Sequence, residues 1–275
     1  MTDQPRGMVG GRHLPAAIAV GVVLATVFLL ALFWRSEAFA LVIVVAATTA
    51  FVDADRVLRR TGRRLLTGVL IVSCAVMMLA THELGATGQT LGVALLVAGC
   101  VLALLVESDR RDVVRRLALT LLFGLWVSFL ASYGVLLVTR DAGAVIVLGV
   151  VGAAIFTDIG GYAFGVAFGR HKVVPSISPN KSWEGLLGGL FVAGVLAALV
   201  LPLFGDPFTP LSAALLAVTC GLASFVGDLT ESMIKRDLDV KDLGDLLPGH
   251  GGVLDRVDGI LFALPVGYYG VVLFA

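Results

Sequence analysis

Between Ser232 and Asp258 the chain sets Lys235, Arg236, Lys241, His250 and Arg256 among carboxylates and the close-set glycines Gly249, Gly251 and Gly252. Residues 228–258 hold eight of its twenty acidic residues. Mg²⁺ is commonly held by one or two carboxylates together with substrate phosphates and waters. Arg binds phosphate in bidentate fashion and Lys binds it as a point charge. Glycine-rich turns can direct backbone N–H groups at phosphate oxygens. The residue types therefore suit metal-assisted chemistry on phosphates. Charge beside a membrane is costly, and this chain is 58% hydrophobic with 15% charged residues, so such a cluster marks a functional site.

Four groupings carry the detail. If the helix before Gly227 continues, Asp228, Glu231 and Lys235 share one face at i, i+3 and i+7. Asp255 and Asp258, at i, i+3 before the last apolar stretch, form a second carboxylate pair; dipole-complementing acids at a helix start are the alternative. Ser178-Pro-Asn-Lys-Ser182 offers donors from Ser178, Asn180 and Lys181 in a loop, with Ser182 placed to cap the next helix. Asp158 stands inside an apolar segment, one turn before Tyr162 and along the stripe Gly161, Gly165, Gly169. Such a stripe packs against another helix, so Asp158 is expected to point into the bundle, with Tyr162 in reach of a hydrogen bond.

The elements that must position these groups are membrane helices. A mean hydropathy of +0.99 places the chain among polytopic membrane proteins. We read an all-α fold of about nine spans, near 15–34, 36–52, 65–81, 89–106, 117–139, 143–168, 184–204, 209–227 and 259–275, each about as long as a bilayer crossing needs. The first is read as a retained span rather than a signal peptide. Of the 20 Lys and Arg residues, 18 fall in the amino-terminal segment and in loops 53–64, 107–116, 169–183 and 228–258. All lie on one side of a nine-span path. The positive-inside rule makes that side cytoplasmic, with the amino terminus inside. The expected location is the cell membrane, multi-pass, with the site facing the cytoplasm. Residues 1–142 form a five-span bundle, and residues 143–275 hold four spans and nearly all the chemistry. The tracts Arg56–Arg64 and Arg110–Arg116 read as topology determinants touching anionic headgroups, with steering of an anionic lipid substrate as the alternative. Cys74, Cys100 and Cys220 fall inside spans without ligand spacing and read as small buried hydrophobes.

Ser232, Lys235-Arg236, Lys241-Asp242, Gly244, Pro248, His250-Gly251-Gly252 and Asp255-Arg256-x-Asp258 together resemble the signature of the phosphatidate cytidylyltransferase (CDP-diacylglycerol synthase) family. Asp158 to Gly169 and Ser178 to Gly185 resemble two further stretches of the same family. The resemblance spans roughly residues 155–260. It implies condensation of CTP with phosphatidate to give CDP-diacylglycerol and pyrophosphate, Mg²⁺ dependence, a second cation for which K⁺ is the candidate, and a homodimer in contact with membrane lipid. No nucleic-acid partner is expected. On that basis Asp255, Asp258, His250 and Lys241 are the catalytic candidates. Ser178, Asn180, Lys181, Lys235, Arg236, Arg256, Gly251 and Gly252 are assigned to substrate. Asp228, Asp255 and Glu231 are assigned to metal, with Asp158 in support. His250 either bonds a phosphate, the role we favour, or deprotonates the attacking group. Two rivals are an enzyme acting on another lipid phosphate, such as an isoprenoid phosphate, and a transporter, which the absence of an internal repeat and the gathering of charge in one loop disfavour.

Overall fold

A computed structural model describes residues 14–108, 111–244, 246 and 251–274. The chain is an all-α polytopic membrane protein. Its helices are α1 (Leu14–Trp34), α2 (Ser36–Arg60), α3 (Thr67–Leu84), α4 (Ala86–Val106), α5 (Val113–Phe123), α6 (Leu130–Val138), α7 (Gly143–Phe168), α8 (Trp183–Val200), α9 (Pro210–Asp237) and α10 (Leu254–Phe274). A π-helical stretch, Gly124–Phe129, joins α5 to α6 as one span. Among the described residues eight helical segments are long and apolar enough to cross a membrane, and α1 adds the shorter apolar stretch Ile18–Trp34.

Local chemistry sets the boundaries. Thr209 and Ser212 form a reciprocal capping box, with Pro210 at the first helical position, and this starts α9. Ser182 Oγ accepts the Gly185 N–H at 3.1 Å and starts α8, as its cap position predicts. Two helices outrun the expected spans. Ala50, Phe51, Ala54, Val57 and Leu58 keep α2 amphipathic as far as Arg60, which carries Asp53 and Asp55 onto a buried helical face. The eighth span likewise runs on to Asp237 instead of stopping near 227.

One segment read as a loop is a strand. Ser178–Ser182 (β2) pairs antiparallel with Lys172–Val174 (β1), in a register of Lys172 with Ser182 and Val174 with Ser178. Pro179 is compatible with a two-stranded ribbon, where one N–H can face outward without breaking the ladder.

The buried core falls in two clusters. One gathers α2, α3, α4 and the fifth span, and takes in Leu238, Leu243, Leu254 and Leu261 from the carboxyl-terminal half. The other gathers α6, α7, α9 and α10 around Val147, Val150, Leu216 and Ala263. The described parts of the connections after α2 and α7 meet the start of the fifth span and the end of α9 at one end of the bundle. Leu66 N–H donates to Thr120 Oγ1 at 3.1 Å, Arg63 pairs with Asp237 at 3.5 Å, and Arg236 Nε donates to the Ile177 carbonyl at 3.2 Å. These are the loops in which the basic residues concentrate.

Candidate active site

The site begins with a close helix crossing. A Cβ at Gly227 would lie 2.7 Å from the Asp258 carbonyl oxygen and 3.0 Å from Gly259 Cα; one at Gly259 would lie 2.4 Å from Ser224 Oγ. Only glycines let α9 and α10 approach this closely. The contact sets Asp228, Glu231 and Lys235 of α9 against Asp255 and Asp258 of α10.

Lys235 is the centre of this group. Its Nζ lies 3.1 Å from Glu231 Oε2, one helical turn back, and 3.1 Å from Asp255 Oδ1 across the crossing. The Glu231 side chain is 1% exposed and that of Asp255 is 4% exposed, so Lys235 neutralises carboxylates removed from water. The Glu231 and Asp258 side chains meet on the other side. Glu231 Oε1 is buried and, the adjoining Asp258 carboxyl apart, has no hydrogen-bond partner among the described residues. Two adjoining carboxylates, one with a buried oxygen, call for a shared proton or a cation.

Asp255 also organises the loop before it. Its carboxylate accepts the Gly252 N–H at 2.9 Å and the Leu243 N–H at 3.1 and 3.2 Å. Gly251 has φ +78°, a left-handed turn that suits glycine. Gly252 packs on Gly244, where an added Cβ would lie 2.7 Å from the opposing Cα. The Gly252 N–H, offered to substrate by the sequence reading, is therefore engaged within the chain.

Lys181 comes to the cluster from β2. Its Nζ bonds Asp228 Oδ2 and lies 4.5 Å from the centroid of the Phe225 ring. Asp228 Oδ1 accepts Ser232 Oγ at 3.3 Å. Asn180 is exposed and Ser178 half-buried on the same strand, while Arg236, Lys241 and Arg256 are exposed around the cluster. His250 lies outside the described residues.

Asp158 departs from expectation in its partner. Gly161 and Gly165 do face Gly185 of α8, and Gly160 faces Gly189, so the packing stripe holds. Asp158 flanks that stripe and is accessible, with Thr157 and Gly160 buried beside it. Tyr162 is 78% exposed, and among the described residues no hydrogen bond joins it to Asp158. Asp158 is instead within electrostatic reach of Lys181, Asp228 and Asp258, at the flank of the cluster.

The sequence reading missed Asp53. This α2 carboxylate is 2% exposed and accepts the Leu246 N–H at 3.2 Å across 193 residues. A Cβ on Gly244 would sit 2.5 Å from Asp53 Oδ2, so Asp53, Gly244, Gly252 and Asp255 stack in order beneath the loop. Its signal was the apolar helical pattern around it, which continues past the expected end of the span.

Among the described residues no three His, Cys, Asp or Glu side chains converge as a ready-made ion site. Asp228, Glu231 and Asp258 nonetheless supply hard oxygen donors, a set that fits a divalent ion completing its shell with phosphates and water.

Residues 15–274 match the Cytidylyltransferase family. The chain is 36% identical over 263 residues to the phosphatidate cytidylyltransferase of Mycobacterium bovis, covering 91% of this chain and 86% of that one. It is 36% identical over 266 residues to the enzyme of that name from Mycobacterium leprae, covering 91% and 85%. A shorter stretch of 121 residues is 48% identical to that of Haemophilus influenzae, covering 41% of this chain and 40% of the other. The match runs nearly from end to end and takes in the acid-rich helix crossing together with the bundle that supports it; the chain belongs to the cytidylyltransferase family.

Proposed function

We propose that this chain transfers CMP from CTP to phosphatidate, forming CDP-diacylglycerol and releasing pyrophosphate. The observation that carries this reading is the α9–α10 crossing, which gathers Asp228, Glu231, Lys235, Asp255 and Asp258 beside Lys181. Family membership and the names of the relatives support it.

A phosphate oxygen of phosphatidate attacks the α-phosphorus of CTP. The bond from that phosphorus to the α,β-bridging oxygen breaks, and pyrophosphate leaves with the electron pair. A phosphate monoester is already largely ionised near neutral pH, so the site has little need of a strong base. Its task is to bring two anions together, which places the weight on charge neutralisation. Lys181 and Lys235 turn from carboxylates towards phosphate oxygens, and Arg236, Lys241 and Arg256 meet the outer phosphates. Asp255 holds the glycine loop through Gly252 and Leu243. Asp228, Glu231 and Asp258 would hold Mg²⁺, and a K⁺ ion would share the same carboxylate set. Bound Mg²⁺ would screen phosphate charge and polarise the α-phosphorus. The site faces the cytoplasm, where CTP is found; the concentration of Lys and Arg in the loops at this end supports that orientation.

The test uses purified protein in detergent with labelled CTP and either phosphatidate or an isoprenoid phosphate. Labelled CDP-diacylglycerol from phosphatidate alone is the expected result. Product from the isoprenoid phosphate alone would overturn the acceptor, and no product from either would overturn the reaction.

A further inference from the structure

Residues 62–64, after α2, and residues 111–119, at the start of the fifth span, line a basic cavity that shares no residue with the acid cluster. Its volume is about 190 Å³, and its walls include Arg63, Arg64, Arg111, Arg115 and Arg116. A neighbouring cavity of about 320 Å³ shares Arg64 and Arg116 and adds Arg59 and the start of α3. Around the two, six guanidiniums face the carboxylates of Asp55, Glu107, Asp112 and Asp237. Among the described residues this is a positive excess of two.

The walls are held in place. Asp55 accepts Arg59 Nε at 2.8 Å and the Leu65 N–H at 3.0 Å, fixing the turn between α2 and α3. Both oxygens of Glu107 bond Arg116, one of them at 2.9 Å from Nη2. On these fixed walls the exposed Arg64 and Arg115 present guanidiniums, whose fork matches the geometry of a phosphate. The first turn of α3 supplies Thr67, Gly68 and Val69 to the second cavity, and the positive end of a helix dipole favours an anion there. Thr67 Oγ1 is buried and has no hydrogen-bond partner among the described residues.

The surroundings distinguish a lipid phosphate from a free one. Leu65, Leu66 and Val69 line the second cavity beside the basic wall, and Gly68 is exposed, with open space where a Cβ would stand. This is a polar cup joined to an apolar wall at the end of a membrane helix, a setting in which basic pockets take lipid headgroups. We propose that this cavity pair is a second phosphate-binding site, separate from the catalytic cluster, that holds the headgroup of an anionic membrane phospholipid.

Native mass spectrometry of the whole protein in detergent tests this, with phosphatidylglycerol and phosphatidylcholine as probes and inorganic phosphate as competitor. Arg64→Gln with Arg115→Gln alters two exposed side chains that lie outside the catalytic cluster. Wild-type protein should bind phosphatidylglycerol in clear preference to phosphatidylcholine, and the double variant should lose about tenfold in affinity for the anionic lipid, equivalent to about 1.4 kcal/mol. Equal binding of the two lipids, or unchanged affinity in a variant of wild-type melting temperature, would overturn the proposal. Displacement of phosphatidylglycerol by an equal concentration of inorganic phosphate would show that the cavity reads a free anion and would overturn the lipid assignment. If the double variant melts low, Arg115→Gln alone carries the same comparison. CMP transfer is not the readout, so the outcome is independent of the proposed reaction.

Discussion

Gly227→Ala probes the geometry on which the catalytic account depends. The added methyl would lie 2.7 Å from the Asp258 carbonyl oxygen and 3.0 Å from both Gly259 Cα and Phe262 Cδ2. Carbon atoms pack best at about 3.5–4.0 Å, so α9 and α10 must part by roughly half an ångström. Overpacking of this kind costs about 1–3 kcal/mol. The better helix propensity of Ala returns up to about 1 kcal/mol. Net destabilisation should therefore be small, whereas Asp228, Glu231 and Lys235 would move relative to Asp255 and Asp258. A misplacement of 1 Å can cost about a hundredfold in rate, so half of that should cost about tenfold. The assay compares turnover and melting temperature with those of Gly152→Ala, whose methyl would meet nothing nearer than the Phe156 ring at 4.0 Å. Gly152→Ala should keep wild-type turnover, while Gly227→Ala should remain folded and lose activity. Wild-type turnover in Gly227→Ala would refute the claim that the crossing sets the site.

Lys235→Met leaves the buried Glu231 and Asp255 carboxylates without their cation, and denaturant titration in mild detergent should show a loss of about 3–5 kcal/mol. Asp53→Ala strands the Leu246 N–H and should cost about 1–3 kcal/mol. Asp53→Asn, which keeps an acceptor, should retain more activity; equal loss in the two variants would mean that Asp53 acts by charge and not by holding the loop. Hydrogen bonding to Arg116 holds the Glu107 carboxyl below its usual 4.5. A depressed value means that its stabilisation is fully present above that pH and fades as the pH falls towards the folded-state value. The melting difference between wild type and Glu107→Gln should accordingly stay constant from neutrality down to about 4.5 and shrink below it. A difference that grows on acidification would contradict this pairing.

Much of the frame was legible because membrane helices write themselves as long apolar runs. The Ser182 cap, the Gly161–Gly165 packing stripe and the continued helix carrying Glu231 and Lys235 all follow from local spacing. What could not be read was long-range. Asp53 matters through Leu246 and Gly244, far along the chain, and nothing in its own neighbourhood points there. Asp158 lies close to the glycine stripe in helical phase, and local spacing could not show that Thr157 and Gly160 are the residues buried beside it, through their packing on α8 and α9. The strand at Ser178–Ser182 depends on its partner Lys172–Val174, and neither is long enough to declare itself by alternation. Acid spacing marks Asp255 as a candidate for chemistry but cannot show the two backbone N–H groups that its carboxylate also accepts.

The central claim is that CMP, and not a phosphoryl group, passes from CTP to phosphatidate. Purified protein given phosphatidate and Mg²⁺ should incorporate label into lipid from CTP labelled on the α-phosphate, and release label as pyrophosphate from CTP labelled on the γ-phosphate. Lipid carrying the γ-label would mean phosphoryl transfer, and lipid carrying neither label would mean that CTP is not the donor; either result would contradict the account.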